Sequence, residues 1–257
     1  MGDGSMWGSA PRRTLGEVVA STTARFPENV ALRFGEVRVT YTELDARSNS
    51  FGNALLDLGV GHGDCVAVMM ENCQESVYAW IGLGKIGGVE VGVNNAYRGE
   101  YLRHMLATTR TAIVLCDAMY AQRIIDIAGE LPDLARIVIR GEFDDLALES
   151  PGVAISSMEA FFAADAGAVK VDRVPVYSDP CAVQFTGGTT GRSKGAIMSH
   201  NMQITVAQGF VDASHQTSED VIAIHRGPRR HPSHPRLSFV KCSGPSDRHE
   251  FWPQLCW

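Results

Sequence analysis

The sequence predicts an α/β fold: mainly parallel sheets with flanking helices. Three observations carry that reading. Short apolar runs of strand length recur at 65–70, 89–93, 113–116, 137–139 and 181–185. Between the first four of them lie helical patterns at 74–86, 100–107 and 118–129, and strands alternating with helices argue for βαβ units and parallel pairing. The 257 residues are 45% hydrophobic and 20% charged, a globular balance that excludes collagen-like, coiled-coil and disordered classes.

Each element has a local cause. Thr14-x-x-Glu17 is a capping box opening a helix with Leu15, Val18, Val19 and Thr22 on one face, stopped near Pro27. Residues 31–34 and 37–40 read as a hairpin around Gly35-Glu36, because a two-residue turn containing Gly suits the tight reversal. Thr40-x-x-Glu43 is a second capping box, and its helix carries Leu44, Phe51, Leu55 and Leu58 before Gly59 caps it. The alternating strands and helices follow. Residues 141–178, with Gly, Pro and Asp spread through them, predict a surface excursion holding one short helix near 157–163. Strand 181–185, a Gly/Thr loop, strand 196–199 and a helix over 201–213 complete the pattern.

Charge and cysteine usage bound the function classes. The net charge is −6, which offers no basic field to gather nucleic acid or an acidic membrane. The opening residues lack the apolar run of a signal peptide, Met6 breaks the myristoylation pattern, and no window reaches the ~18 apolar residues of a membrane span. The six cysteines form no C-x-x-C pair, and four sit in apolar stretches as small buried hydrophobes. A reducing cytoplasm is expected. Oligomeric state is not legible.

The average conceals a seam. Residues 225–257 hold four of the eight His, five of the 11 Pro and six basic against two acidic residues, with no Ala, Ile, Thr, Asn, Met or Tyr. That tail carries +4, whereas residues 1–224, with 17 basic and 27 acidic side chains, carry −10.

Two glycine patterns could bind nucleotide. Gly82-Leu-Gly84-Lys-Ile-Gly87 spells G-x-G-x-x-G, but that fingerprint needs a strand before it and a helix after it. Here a helix precedes and a strand follows, so these glycines are expected to permit close helix–sheet packing. Thr186-Gly-Gly-Thr-Thr-Gly-Arg-Ser-Lys-Gly195 lies between two strands. Its glycine amides can form an anion-binding nest, its hydroxyls can donate, and Lys194 supplies a point charge. It is not a Walker A loop, since Gly191 and Lys194 are separated by two residues and a strand follows. On composition alone, a phosphate cradle and a flexible solvent loop are equally open.

The stretch 183–194 resembles the phosphate-loop signature of the AMP-forming, acyl-adenylate-making superfamily, T-S-G-T-T-G-x-P-K-G. This chain has Gly187 at the usual Ser and Ser193 at the usual Pro. The similarity runs from 14 to 220. It includes Thr40-Tyr-Thr-Glu-Leu-Asp45, Leu58-Gly-Val-Gly-x-Gly-Asp64, Ala79 to Gly87, and Asn94-Asn95 followed by Arg98-Gly-Glu-Tyr-Leu102. The Asn-x-x-x-Arg-Gly pattern is similar to the acyl-CoA ligase branch, including crotonobetaine/carnitine-CoA ligase-like proteins. His200 falls where that family commonly has one; a satisfied helix-start histidine is the competing reading.

The resemblance implies an ATP-dependent acyl-CoA synthetase, joining a carboxylic acid to ATP, with Mg²⁺, as an acyl-adenylate and then passing the acyl group to coenzyme A. It assigns Thr186, Gly187, Gly188, Thr189, Thr190, Gly191 and Lys194 to the phosphates, with Lys194 and Thr186 stabilising the charge that develops on departing pyrophosphate. It also implies a chain about twice as long, with an adenine-side Tyr-Gly-x-Thr-Glu segment, a ribose-binding Asp and a C-terminal lysine-bearing domain. None of these occurs here. The expected organisation is a disordered 1–13, a partial N-terminal adenylate-forming domain over 14–224, and a foreign basic tail over 225–257. In that tail His225, His231, His234, Cys242, His249 and Cys256 match no zinc spacing. A basic interaction arm and a shifted reading frame also compete for it; the frame shift fits best, and the coding sequence beyond codon 224 tests it. The alternative function is a non-catalytic remnant that binds phosphate; a nicotinamide-dependent oxidoreductase is disfavoured by the misplaced G-x-G-x-x-G.

Overall fold

A computed structural model describes residues 12–143, 150, 152–185, 193–217, 220–224 and 238–241. Helix α1 (Leu15–Arg25) and helix α2 (Tyr41–Asp57) each begin with a complete capping box, from Thr14 to Glu17 and from Thr40 to Glu43. Between them β1 (Val30–Phe34) and β2 (Val37–Thr40) pair antiparallel as the predicted hairpin. The alternating portion follows as β3 (Cys65–Met69), α3 (Gln74–Ile86), β4 (Val89–Gly92), α4 (Gly99–Thr108), β5 (Ile113–Asp117), α5 (Ala118–Ala128) and β6 (Arg136–Arg140). Then come β7 (Ala154–Ser157), α6 (Glu159–Ala163), β8 (Pro180–Phe185), β9 (Gly195–Ser199), α7 (His200–Ala213), β10 (Val221–Ile224) and β11 (Ser238–Lys241).

The main sheet has seven strands in the order β7-β6-β5-β3-β4-β8-β9. All neighbours pair parallel except β8 with the edge strand β9, which closes antiparallel with Phe185 opposite Gly195. Its two faces alternate along each strand. Val66, Val68, Ile113 and Leu115 pack beneath α1, α2 and α3, with Leu15, Leu44, Phe51 and Ile81. Ala67, Met69, Val91, Val114 and Val183 pack against α4 and α5, through Leu102, Met105, Leu106 and Ile124. Helices therefore cover both faces, as parallel strands joined by crossovers require.

Three departures from the sequence reading have physical reasons. First, the excursion over 141–178 contains β7, which pairs parallel to β6. Its Ala154-Ile-Ser-Ser157, none of them buried, lies at a sheet edge, so no apolar run announced it. Second, β10 and β11 extend the β1–β2 hairpin into a four-stranded antiparallel sheet in the order β10-β11-β1-β2. Ser238–Lys241, within the atypical 225–257 tail, thus forms a strand of this sheet.

Third, the G-x-G-x-x-G glycines serve helix–helix packing rather than the helix–sheet packing expected of them. A Cβ on Gly82 would stand 2.8 Å from the carbonyl oxygen of Ser48 and 2.9 Å from the nitrogen of Gly52, both backbone atoms of α2. On Gly84 it would press Leu15 of α1 at 3.1 Å. Gly87 ends α3 in the left-handed region at φ 78°, where a side chain would be strained. The motif seats α3 against α1 and α2.

Candidate functional site

In parallel sheets, ligands bind beyond the carboxyl ends of the strands. Here those ends carry a connected polar network. Asp117, closing β5, accepts the Glu71 backbone N–H at 2.7 Å and the Arg140 Nε–H at 2.6 Å. Arg140, closing β6, also reaches Glu75 on α3 at 3.7 Å. Asn95, beyond β4, donates from Nδ2 to the Met70 carbonyl at 3.0 Å and to Glu71 Oε1 at 2.8 Å. The Tyr120 hydroxyl donates to the same Glu71 oxygen. Arg123 donates to the Asn95 carbonyl at 2.6 Å and stacks over the Tyr120 ring. Burial, and then the bond to Glu71, push the Tyr120 phenol up to about 12. Each charge in this network is matched by a partner, so its chemistry is to hold the connecting loops in place.

The Gly/Thr stretch leaves from the same edge. β8 ends at Phe185 and β9 starts at Gly195, so residues 186–194 join two adjacent antiparallel strands at the carboxyl end of β8. Gly195 is fixed by its neighbours: a Cβ there would stand 2.7 Å from Val183 Cγ1. Thr186, Gly187, Gly188, Thr189, Thr190 and Gly191 lie outside the described residues. Lys194 is described and exposed, one residue before β9. The preceding Ser193 offers its carbonyl to His104 Nε2 of α4, 3.0 Å away. The His104 ring stands edge-on to Phe185, with centroids 6.4 Å apart. The structure thus places Lys194 between the carboxyl end of β8 and the start of β9.

His200 lies elsewhere. It follows β9 at the end where Ser199 pairs with Pro180, five residues from the Gly/Thr stretch and at the opposite end of the strand. Its Nδ1 accepts the Leu15 N–H at 3.2 Å, one of the orphan donors of the first turn of α1. Burial holds its pKa down to about 4, so it is neutral and acts as a helix-start acceptor. The helix-start contact is made through Nδ1, while Nε2 is buried without a hydrogen-bond partner among the described residues.

Sequence reasoning missed His104 and the network of Glu71, Asn95, Tyr120, Asp117 and Arg140. One signal was available: a polar residue directly follows or ends each apolar strand run, at Glu71, Asn94, Asp117 and Arg140. Cys65, Cys73, Cys116 and Cys181 are unbridged, and burial raises their thiol pKa values, those of Cys73 and Cys181 to about 12. Among the described residues, no helix is long and apolar enough to cross a membrane, and no group of three His, Cys, Asp or Glu could hold a metal ion.

Comparison with known proteins gives a consistent picture. A family profile described as "AMP-binding enzyme" matches residues 19–228. A 3-hydroxybenzoate–CoA/4-hydroxybenzoate–CoA ligase of Thauera aromatica is 33% identical over 174 residues, covering 67% of this chain and 32% of the ligase. A medium/long-chain-fatty-acid–CoA/3-oxocholest-4-en-26-oate–CoA ligase of Mycolicibacterium smegmatis is 28% identical over 207 residues, covering 80% of this chain and 37% of the ligase. The chain thus spans about a third of the length of the curated relatives it matches. Among solved structures, the apo MbtA of Mycobacterium smegmatis superposes with a TM-score of 0.72 at 22% identity, over 83% of this chain and 38% of that one. That likeness shows the fold.

Proposed function

From the premise that this chain belongs to the AMP-binding enzyme family, we propose that it carries the phosphate-binding part of an ATP-dependent acid–thiol ligase of the acyl-CoA synthetase type. Residues 14–224 are its partial adenylate-forming domain. The observation that carries the reading is that residues 186–194 connect the carboxyl end of β8 to β9 within the family match. The amides of Gly187, Gly188 and Gly191 and the hydroxyls of Thr186, Thr189 and Thr190 donate to the β,γ-phosphates of ATP. Lys194 adds a positive charge where negative charge builds on departing pyrophosphate. Mg²⁺ travels on the triphosphate and offsets the same charge. A small carboxylic acid and coenzyme A are the co-substrates, and the setting is cytoplasmic.

No covalent nucleophile is needed. The acid's carboxylate attacks the α-phosphorus and forms the acyl-adenylate as pyrophosphate leaves, and the thiol of coenzyme A then displaces AMP. This chain's share of that sequence is electrostatic: it holds the leaving group.

A second reading, a phosphate-binding module without ligase turnover, rests on the same stretch and needs only its amides, its hydroxyls and Lys194. ATP–pyrophosphate exchange separates the two. We expect the 257-residue chain to bind ATP with Mg²⁺, to lose affinity in Lys194→Ala, and to show no acid-dependent exchange. Robust exchange abolished by Lys194→Ala would establish the ligase reading for this chain alone. Equal ATP affinity in the native chain and Lys194→Ala would remove the phosphate role of the stretch.

A further inference from the structure

We propose that His104 is a positioning residue that clasps the base of the Gly/Thr loop and thereby sets the place of Lys194. The inference rests on the phosphate-binding reading above. One side chain of α4 touches both limbs of the loop: its Nε2–H donates to the Ser193 carbonyl at 3.0 Å, and its ring stands edge-on to Phe185, the last residue before the loop. A carbonyl only accepts, so the bond places the proton on Nε2 and leaves Nδ1 an acceptor in the neutral ring. The Thr108 hydroxyl stands 3.5 Å from that Nδ1, one turn further along α4.

The clasp is only as rigid as its support, and α4 is well supported. Leu102, Met105 and Leu106 bury its inner face against the sheet. Its entry segment is tied down at Asn95, whose amide holds the Met70 carbonyl and Glu71 while its own carbonyl takes the Arg123 guanidinium. Hydrogen bonds therefore tie Asn95, four residues before α4, to the end of β3, and His104 to Ser193. On the other side of Lys194, Gly195 pairs with Phe185 and is seated against Val183. Lys194 is thus flanked by two fixed residues. A cation whose backbone is placed in advance spends less ordering entropy when it meets a phosphate.

The test compares His104→Leu, which keeps bulk without a donor, with His104→Gln, whose amide donates from nearly the same reach. Trypsin reads the clasp directly, because the Arg192–Ser193 and Lys194–Gly195 bonds flank the held carbonyl. In His104→Leu those bonds should be cut about three- to ten-fold faster than in the native chain, the ordinary worth of one hydrogen bond. His104→Gln should stay within about two-fold of native cleavage if the amide restores that bond. ATP affinity should fall about three- to ten-fold in His104→Leu and recover in His104→Gln. His104→Leu added to Lys194→Ala should cost no more affinity than Lys194→Ala alone, as coupled neighbours do. Native cleavage rates in His104→Leu would overturn the clasp. So would equal defects in both variants with a lowered melting temperature, since that pattern belongs to helix packing. Native ATP affinity in Lys194→Ala would sink the phosphate reading instead, and the cleavage rates would still decide the clasp.

Discussion

The Nζ of Lys85 on α3 lies 2.7 Å from Oδ1 of Asp45 on α2. The same ammonium meets the Asp45 carbonyl at 3.1 Å, Ser48 Oγ at 2.7 Å and Asn49 Oδ1 at 2.6 Å. Burial lowers the Lys85 pKa, and the Asp45 hydrogen bond opposes that shift. The lysine is a buried clamp between the two helices that Gly82 and Gly52 bring together.

Breaking the clamp should be costly because it strands four acceptors beside one another. Lys85→Met is expected to lower unfolding free energy by about 3 kcal/mol, in the range for losing one partner of a buried ion pair. Asp45→Asn should cost less, since Asp45 is partly exposed and the amide keeps an acceptor. Urea denaturation checks both, and a native midpoint for Lys85→Met would refute the clamp.

The glycine motif makes a contrasting pair. Gly82→Ala drives a methyl into two backbone atoms of α2 that cannot swing aside, and should cost about 1–3 kcal/mol by overpacking. Gly129→Ala meets nothing within 4 Å and keeps φ −62°, so it should be neutral or stabilise by about 0.4–1 kcal/mol through the unfolded chain. Thermal melts of the two variants test whether G-x-G-x-x-G is a packing device. NAD binding that fails in Gly82→Ala at unchanged melting temperature would reverse the assignment.

Legibility in the sequence followed the range of each signal. Capping boxes at Thr14–Glu17 and Thr40–Glu43 are local, and both form as written. The buried strands β3, β5 and β8 announce themselves by apolar runs. The edge strand β7 does not, because an edge needs no such run. The network at the strand ends was beyond reach for a different reason. Asp117 meets Glu71 across 46 positions, and Tyr120 meets Glu71 across 49. Those meetings depend on the order β6-β5-β3-β4, which no local pattern encodes. His104 meets Ser193 across 89 positions and was hidden for the same reason.

A pH dependence follows from Glu90, which sits on β4 between Val66 and Ala182 with its Oε2 lacking a partner among the described residues. Burial pushes its carboxyl from 4.5 up to about 8. The folded chain therefore binds this proton more tightly than the unfolded chain does. Its stabilising share is complete below pH 4.5, declines as pH rises, and is gone above about 8. Glu90→Gln mimics the protonated shape and removes the titration. It should leave the melting temperature near native at pH 5 and raise it at pH 8. His200 acts in the opposite direction, losing stability as pH falls from 6.5 towards about 4. A native pH profile in Glu90→Gln would exclude the carboxyl as its source.

The last prediction concerns a face that the described residues leave uncovered. Met202, Val206 and Phe210 recur every four residues along α7 and are exposed, Val206 at 60%. Ile197 of the adjoining edge strand β9 is exposed at 67%. Side chains at i, i+4 and i+8 align on one helix face, so Met202, Val206 and Phe210 form an apolar stripe, and β9 is an edge strand among the described residues. Such a surface invites association. The chain should self-associate with rising concentration and bind an apolar dye. Ile197→Lys combined with Val206→Lys should suppress both at unchanged melting temperature, because neither side chain is in the core. Sedimentation velocity at several concentrations provides the measurement. A single monomeric species throughout, with no dye binding, would show that the stripe is inert.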